Sequence, residues 1–189
     1  MSEKRIILLN GPPSCGKDSI AQRYIELVDP NAQTIKFAQP IRDAAMATFP
    51  HLNERNFEQN KSLPIYPQSD ATLRDWMIRF SEVLMKPLLG QSIFGAIAAE
   101  KINNLEHSGT ILVTDCGFLE ELMYLLENSE HNMLLVKILR NGTNFVNDSR
   151  SYLSPPEHHP RLAVCTLDNN DTLDAAALQL AEHARKIDS

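Results

Sequence analysis

The run Ile6-Ile7-Leu8-Leu9-Asn10 stops at Gly11, and Gly11-x4-Gly16-Lys17 follows at once. An apolar, β-rich stretch that breaks on a glycine and gives way to a helical pattern folds in few ways. It reads as a buried strand, a tight loop and the first turn of a helix, a unit of parallel α/β sheets. The same spacing sets the chemistry of the loop. Small residues at Gly11, Ser14, Cys15 and Gly16 let backbone N–H groups converge on one point. The helix that starts there adds the positive end of its dipole. Lys17 brings a charge to the same place, and together these features recognise the phosphates of a nucleoside triphosphate or something resembling one. The position after Lys17, where a hydroxyl commonly ligates Mg²⁺, holds Asp18, with Ser19 behind it. A carboxylate is equally a hard oxygen ligand, so Asp18 and Ser19 are the expected metal ligands.

The remaining pattern extends this unit. Apolar runs at 5–10, 33–37, 110–114, 133–139 and 162–167 read as strands. Helical patterns lie between and after them, at 17–28, 40–49, from Asp70 or Thr72 to about Leu89, at 94–105, 118–127 and 172–187. Asp29-Pro30 stops the first helix, Pro40 opens the second, and Gly90 ends the long one. Asn170 or Asp171 is the expected cap of the last, whose final turn is basic at Arg185-Lys186. Strands alternating with helices predict a five-stranded parallel sheet with both faces covered. Two stretches look irregular, 51–69 and 141–160; each reads as a substrate loop or lid, or as plain surface.

Length and charge bound the functional class. At 189 residues the chain fits one domain, 1–189, with a sizeable core. A net charge of −6 argues against a general nucleic-acid binder. Cys15, Cys116 and Cys165 are odd in number and scattered, which fits a reducing compartment. With no signal pattern and no long apolar run, a cytoplasmic protein without a membrane partner is expected.

Other residues are placed by the strands and helices they follow. Run 110–114 leads into Asp115, at a strand end of the kind that lines the ligand crevice of open α/β sheets. Asp115 is therefore a candidate metal or substrate ligand, or a cap for the helix after it. Phosphoryl transfer needs cations around developing charge. Arg140 follows the fourth strand, Arg150 lies in the second irregular stretch, and Arg42 opens the second helix. Of Arg74 and Arg79, at most one is expected to reach the site. Glu82 and Lys86 are spaced as a helix surface pair or a substrate contact. Trp76, Met77, Phe80 and Leu84 form an apolar stripe of the kind that enters a core. Phe37, Phe118 and Tyr152 are the candidates for base contact.

With these residues in place, the chain resembles P-loop nucleoside monophosphate kinases, and most nearly the deoxynucleoside monophosphate kinases of bacteriophages. The resemblance rests on Gly16-Lys17-Asp18-Ser19, on Phe37-Ala38-Gln39-Pro40-Ile41-Arg42-Asp43-Ala44 and on Asp115 with Gly117, Phe118, Glu120 and Glu121. The strand–Arg140–Gly142 segment and residues 167–173 add to it. It implies a three-layer α/β sandwich with a lid at 141–160 and a substrate-binding helical region at 39–108. It further implies ATP and Mg²⁺ as cofactors and transfer to a (deoxy)nucleoside monophosphate, in a monomer or homodimer located, if viral, in the host cytoplasm. Gly11, Ser14, Cys15, Gly16, Lys17, Asp18 and Ser19 would hold ATP. Lys17, Arg140 and Arg150 would be catalytic, Arg42, Arg74 and Asp115 would bind substrate, and Asp18, Ser19 and Asp115 the metal. In that pattern an arginine is expected within 115–121, where this chain has none and carries Gly117 in that neighbourhood, so one anion contact is either missing or supplied elsewhere. A kinase of another small phosphorylated acceptor, or a nucleotide-binding regulator without turnover, fits the same loop.

Overall fold

The computed structural model describes residues 4–106, 109–146, 148–156 and 158–186. Strand β1 (Lys4–Asn10) is apolar without alternation, and Ile6, Ile7, Leu8 and Leu9 are all fully buried. A strand covered on both faces needs neighbours on both edges, and β1 has them. It pairs in parallel with β3 (Gly109–Val113), setting Leu8 opposite Val113, and with β4 (Asn132–Leu139), setting Asn10 opposite Lys137. Strand β2 (Gln33–Ile35) lies outside β3 and β5 (Leu162–Asp168) outside β4, all in parallel register. The order is β2-β3-β1-β4-β5.

One face of the sheet is sealed by α1 (Lys17–Leu27) and α8 (Leu173–Arg185). Ile7, Leu9, Val136 and Ile138 meet Ile20 and Tyr24 of α1 and Leu180 of α8 in one buried cluster. Ala177, Ala181 and Ala184 keep α8 thin enough to pack with α1 on this face. Alternation along a strand turns Ile6 and Leu8 to the opposite face. The crossover helices α6 (Ile93–Asn104) and α7 (Leu119–Glu127) run beside each other. They close tightly at Gly95, where an added Cβ would stand 2.6 Å from the carbonyl oxygen of Glu121. Buried Lys4 donates to the carbonyl of Ile102 at 2.8 Å, so its ammonium sits in the last turn of α6, where the helix dipole favours a cation.

Contacts divide the chain into two compact units, one running to Phe37 and resuming at Gly95, the other Ala38–Phe94. The second is helical: α2 (Gln39–Thr48), α3 (Phe57–Asn60), α4 (Leu73–Arg79) and α5 (Lys86–Leu89). Thr72 caps α4 in a reciprocal box with Asp75. Between α4 and α5 the turns widen to π-helix over Phe80–Met85. Phe49, Trp76 and Phe80 form an aromatic knot, with Trp76 and Phe80 stacked at 4.9 Å. Among the described residues no helix is long and apolar enough to cross a membrane.

Four details differ from the sequence reading. Strand β2 stops at Ile35, because Lys36 and Phe37 turn away to bond with acidic side chains described below. A short helix, α3, lies in the stretch read as irregular. The long helix is interrupted by its π turns. The cap of α8 is Thr172, whose hydroxyl accepts from the amide of Ala175, while Asn170 accepts from the amide of Asn141. Residue 187, expected in the last helix, and residues 107, 108, 147 and 157 of the expected substrate region and lid lie outside the described residues.

The α6–α7 contact leaves no room for a methyl group. Gly95→Ala is expected to destabilise the protein by about 1–3 kcal/mol, the usual cost of overpacking a tight contact, measured by urea unfolding.

Candidate active site

The loop after β1 owes its shape to two residues in the left-handed region, Ser14 at φ 62° and Gly16 at φ 99°. Gly16 is also pressed against Asn169, since a Cβ there would lie 2.5 Å from its Nδ2. The loop's carbonyl groups are taken by the protein's own donors. Lys17 Nζ donates to the carbonyls of Gly11 and Pro12, each at 2.8 Å. An Arg140 guanidinium nitrogen donates to the Ser14 carbonyl at 3.2 Å, and Asn169 Nδ2 to the Cys15 carbonyl at 2.8 Å. The amide of Ile20 bonds the carbonyl of Gly16, so the amides before it open the helix and have no acceptor within α1. Carbonyls engaged by side chains and helix-start amides facing outward together make a lining suited to an anion.

Burial pulls the Lys17 ammonium below the ordinary lysine range, with the Arg150 charge adding to it and Cys15 opposing it. Cys15 is fully buried with its Sγ 3.6 Å from Lys17 Nζ.

Asp18, on the first turn of α1, accepts from the Thr114 hydroxyl at 2.7 Å and pairs with Lys36 at 2.8 Å. Desolvation works against its ionisation, yet the bonds from Lys36 and Thr114 outweigh it and hold the carboxyl below its usual range. The residues that directly follow β2 and β3 thus meet at Asp18. Asp115 accepts from the amide of Phe37 at 2.8 Å. Helix α7 begins at Leu119 with Phe118 at its N-cap position. Asp18 and Ser19 are exposed at the helix start, and Asp115 directly follows Thr114. Two carboxylates and a hydroxyl are hard oxygen donors that fit Mg²⁺, which takes few protein ligands and fills the remainder with water and phosphate.

Arg150 is held by Asp148 through two bonds, at 2.8 and 2.6 Å. That carboxylate raises the guanidinium pKa further. The stem of Arg150 lies on Gly117, where a Cβ would come 2.3 Å from Arg150 Cδ. The space that a side chain at 117 would need is therefore filled by Arg150. The segment carrying Arg150 is fastened by Asn10. Its Nδ2 donates to the carbonyls of Cys116 and Ser151, and its Oδ1 accepts from the amide of Leu153 at 3.0 Å. Tyr152 donates its hydroxyl to the carbonyl of Ile138 at 2.8 Å.

Of the residues singled out from sequence, the structure gathers Gly11, Ser14, Cys15, Gly16, Lys17 and Arg140 around one loop, and Asp18 beside Thr114 at the end of β3. Phe37 is buried, with its amide bonded to Asp115. Arg42 and Arg74 belong to the helical unit. Arg42 is buried there and paired with Glu54 at 3.2 Å and with Glu58, whereas Arg74 is exposed. Lys86 is buried and pairs with Glu82 at 2.6 Å. Sequence reasoning missed Asn10, Lys36, Thr114, Asp148 and Asn169. Asn10 ends β1 and Asn169 directly follows β5, strand-end positions of the kind that marked Asp115.

No family model matches the chain, and no curated protein matches it in sequence. Solved structures do match its fold. A gluconokinase from Sinorhizobium meliloti 1021 aligns over 99% of this chain and 95% of its own, at 12% identity and a TM-score of 0.50. An APS kinase from Mycobacterium tuberculosis, in complex with AMPPNP and APS, aligns over 98% and 99%, at 10% identity and a TM-score of 0.52. The chain has the α/β fold of P-loop kinases.

Two outcomes are expected here. In Asn10→Ala the amide of Leu153 loses its acceptor, so its hydrogen exchange should accelerate, and stability should fall by about 1–3 kcal/mol as buried partners are left unpaired. The depressed pKa of Asp18 implies stability that is present above the ordinary aspartate range and is lost as pH falls through the folded value. Lys36→Met should raise the Asp18 pKa and move that loss to higher pH, read by carboxyl-carbon NMR titration.

Proposed function

We propose that this protein is an ATP- and Mg²⁺-dependent kinase that transfers a phosphoryl group to a (deoxy)nucleoside monophosphate. The observation that carries the reading is the polarity of the loop. The carbonyls of Gly11, Pro12, Ser14 and Cys15 each accept from the protein's own donors, which leaves the helix-start amides for the phosphates of ATP. Lys17 and Arg140 border that lining, and Arg150 lies on Gly117 beside it.

In this reading Lys17 exchanges its carbonyl partners for phosphate oxygens, and Arg140 and Arg150 meet the charge that develops as the phosphoryl group moves. Asp18 and Ser19, with Asp115, would hold Mg²⁺, which supplies charge neutralisation across the phosphates. Asp18 would then release Lys36 or share its carboxylate with it. Asp148 keeps the Arg150 fork oriented, so little reorganisation remains at the moment of transfer. A phosphate monoester is already nucleophilic near neutral pH, so the reaction needs positioning and charge rather than a general base. The acceptor is assigned to the helical unit, with Arg42 and Arg74 toward its phosphate. The choice of a nucleoside monophosphate rests on the Phe37–Ala44 and Lys17–Asp18 sequence features.

The test is transfer from ATP with Mg²⁺ to each common deoxynucleoside and ribonucleoside monophosphate, with gluconate and APS included, read as product formed. Product with one or a few monophosphates is expected. Product only with another acceptor would replace the substrate, and binding of ATP without any product would mark a regulator. Lys17→Ala should lower turnover by roughly 10²–10³-fold, the scale of losing one preorganised charge contact, with the fold intact by circular dichroism.

A further inference from the structure

The helical unit contains a cluster of cations whose partners are arranged unequally. Arg42 lies with its guanidinium 4.0 Å above the ring of Phe57, itself fully buried, and its side chain is only 7% exposed. Its Nε is buried and makes no hydrogen bond. Glu58 grips Arg42 through one carboxylate oxygen and reaches Lys61 at 3.4 Å through the other. Lys61 is 27% exposed and Glu58 60%. The amide of Arg74 donates to the Lys61 carbonyl at 2.8 Å, which brings a third cation alongside. Burial draws the Lys61 ammonium below its ordinary range; Glu58 opposes this, and Arg74 and Arg42 add to it.

Arg42 is the fixed floor of this cluster, and Glu54 and Glu58 are its solvent-facing carboxylates. Arg42 has nowhere to go, since Phe57 packs beneath it. Glu58, on the four-residue helix α3, has a side chain 60% exposed, so its carboxylate borders water. When Glu58 leaves, Glu54 stays on Arg42 but Lys61 loses its 3.4 Å pair, so two partly buried cations face one carboxylate. That shortfall of negative charge is costly, and an anion with two or more oxygens is what makes it good. A phosphate monoester meets that need: one oxygen takes the place of each Glu58 oxygen, and its remaining oxygens accept from Lys61 or the Arg42 Nε.

We propose that Arg42 and Lys61 form a phosphomonoester site in which Glu58 is an exchangeable internal occupant that the ligand's phosphate replaces. The proposal deepens the acceptor reading above and rests on it for the identity of the ligand. It makes Lys61 a binding residue and Glu58 a competitor, which a plain structural ion pair would not be.

The test is isothermal titration of the full chain, with AMPPNP saturating the loop, at constant ionic strength. The probes are inorganic phosphate, deoxynucleoside monophosphates and the corresponding unphosphorylated nucleosides. Glu58→Gln keeps the Glu54 bond to Arg42 and should tighten phosphate binding about fivefold, as expected when a competing ion pair is removed. Lys61→Met should weaken it about tenfold, the scale of one charge-assisted contact. Circular dichroism of each variant checks the fold. Monophosphates that bind like inorganic phosphate or better, while nucleosides do not, place the phosphate of an acceptor there. Binding of inorganic phosphate alone would keep the site and remove the acceptor as its ligand. Affinities unchanged in both variants, or weakened in Glu58→Gln, would overturn the proposal. The two readings fail separately. Transfer to monophosphates with wild-type KM in both variants keeps the kinase and removes this site. Lys61-dependent phosphate binding in a protein that transfers nothing from ATP keeps the site and removes the kinase.

Discussion

The position of β1 decides where everything else at the site stands. A strand with Ile6–Leu9 wholly buried is paired on both edges and packed on both faces, so its C-terminal end cannot shift without disturbing two ladders and two helical layers. The loop from Gly11 to Gly16 hangs directly from that end. So does Asn10, whose side chain ties the loop's base to Cys116 on one side and to residues 151–153 on the other. Strands β2 and β3 deliver Lys36 and Thr114 to Asp18 by the same logic. A parallel sheet ends all its strands on one rim, and polar side chains one residue beyond that rim converge there.

A second regularity concerns charge. The cations of interest are held by acceptors of the protein itself: Lys17 by loop carbonyls, Arg140 by Ser14, Arg150 by Asp148, Lys36 by Asp18. In the helical unit Arg42 is held by Glu54 and Glu58. Partly buried charge without a partner is unstable, and these partners hold each cation in one orientation. Preorganisation of this kind lowers the reorganisation that a reaction would otherwise require.

Gly117 illustrates how such an arrangement alters the meaning of a sequence position. By resemblance an arginine is expected in the segment 115–121 around it, and its lack reads as a contact either missing or supplied elsewhere. The structure shows that a side chain at 117 would collide with the stem of Arg150. Glycine at one position and arginine at the other occupy a single volume, so the two residues are understood together.

Much of this was legible along the chain. The five strands, the loop at Gly11–Lys17 and the helices on either side follow from apolar runs, glycine and proline punctuation and cap residues, which are local signals. Asp115 was visible because it directly follows an apolar run, whereas Asn10 closes its run and Asn169 stands behind Asp168, so neither was singled out. Thr172 took the cap of α8 because its backbone has the extended geometry a cap needs, a property that neighbouring Asn170 and Asp171 hide in sequence. What only the tertiary structure decided were pairings between residues far apart in the chain: Asp18 with Thr114 and Lys36, Arg150 on Gly117, Asn169 on the loop. The register of a parallel sheet sets these distances, and register is a property of two strands that neither one encodes alone.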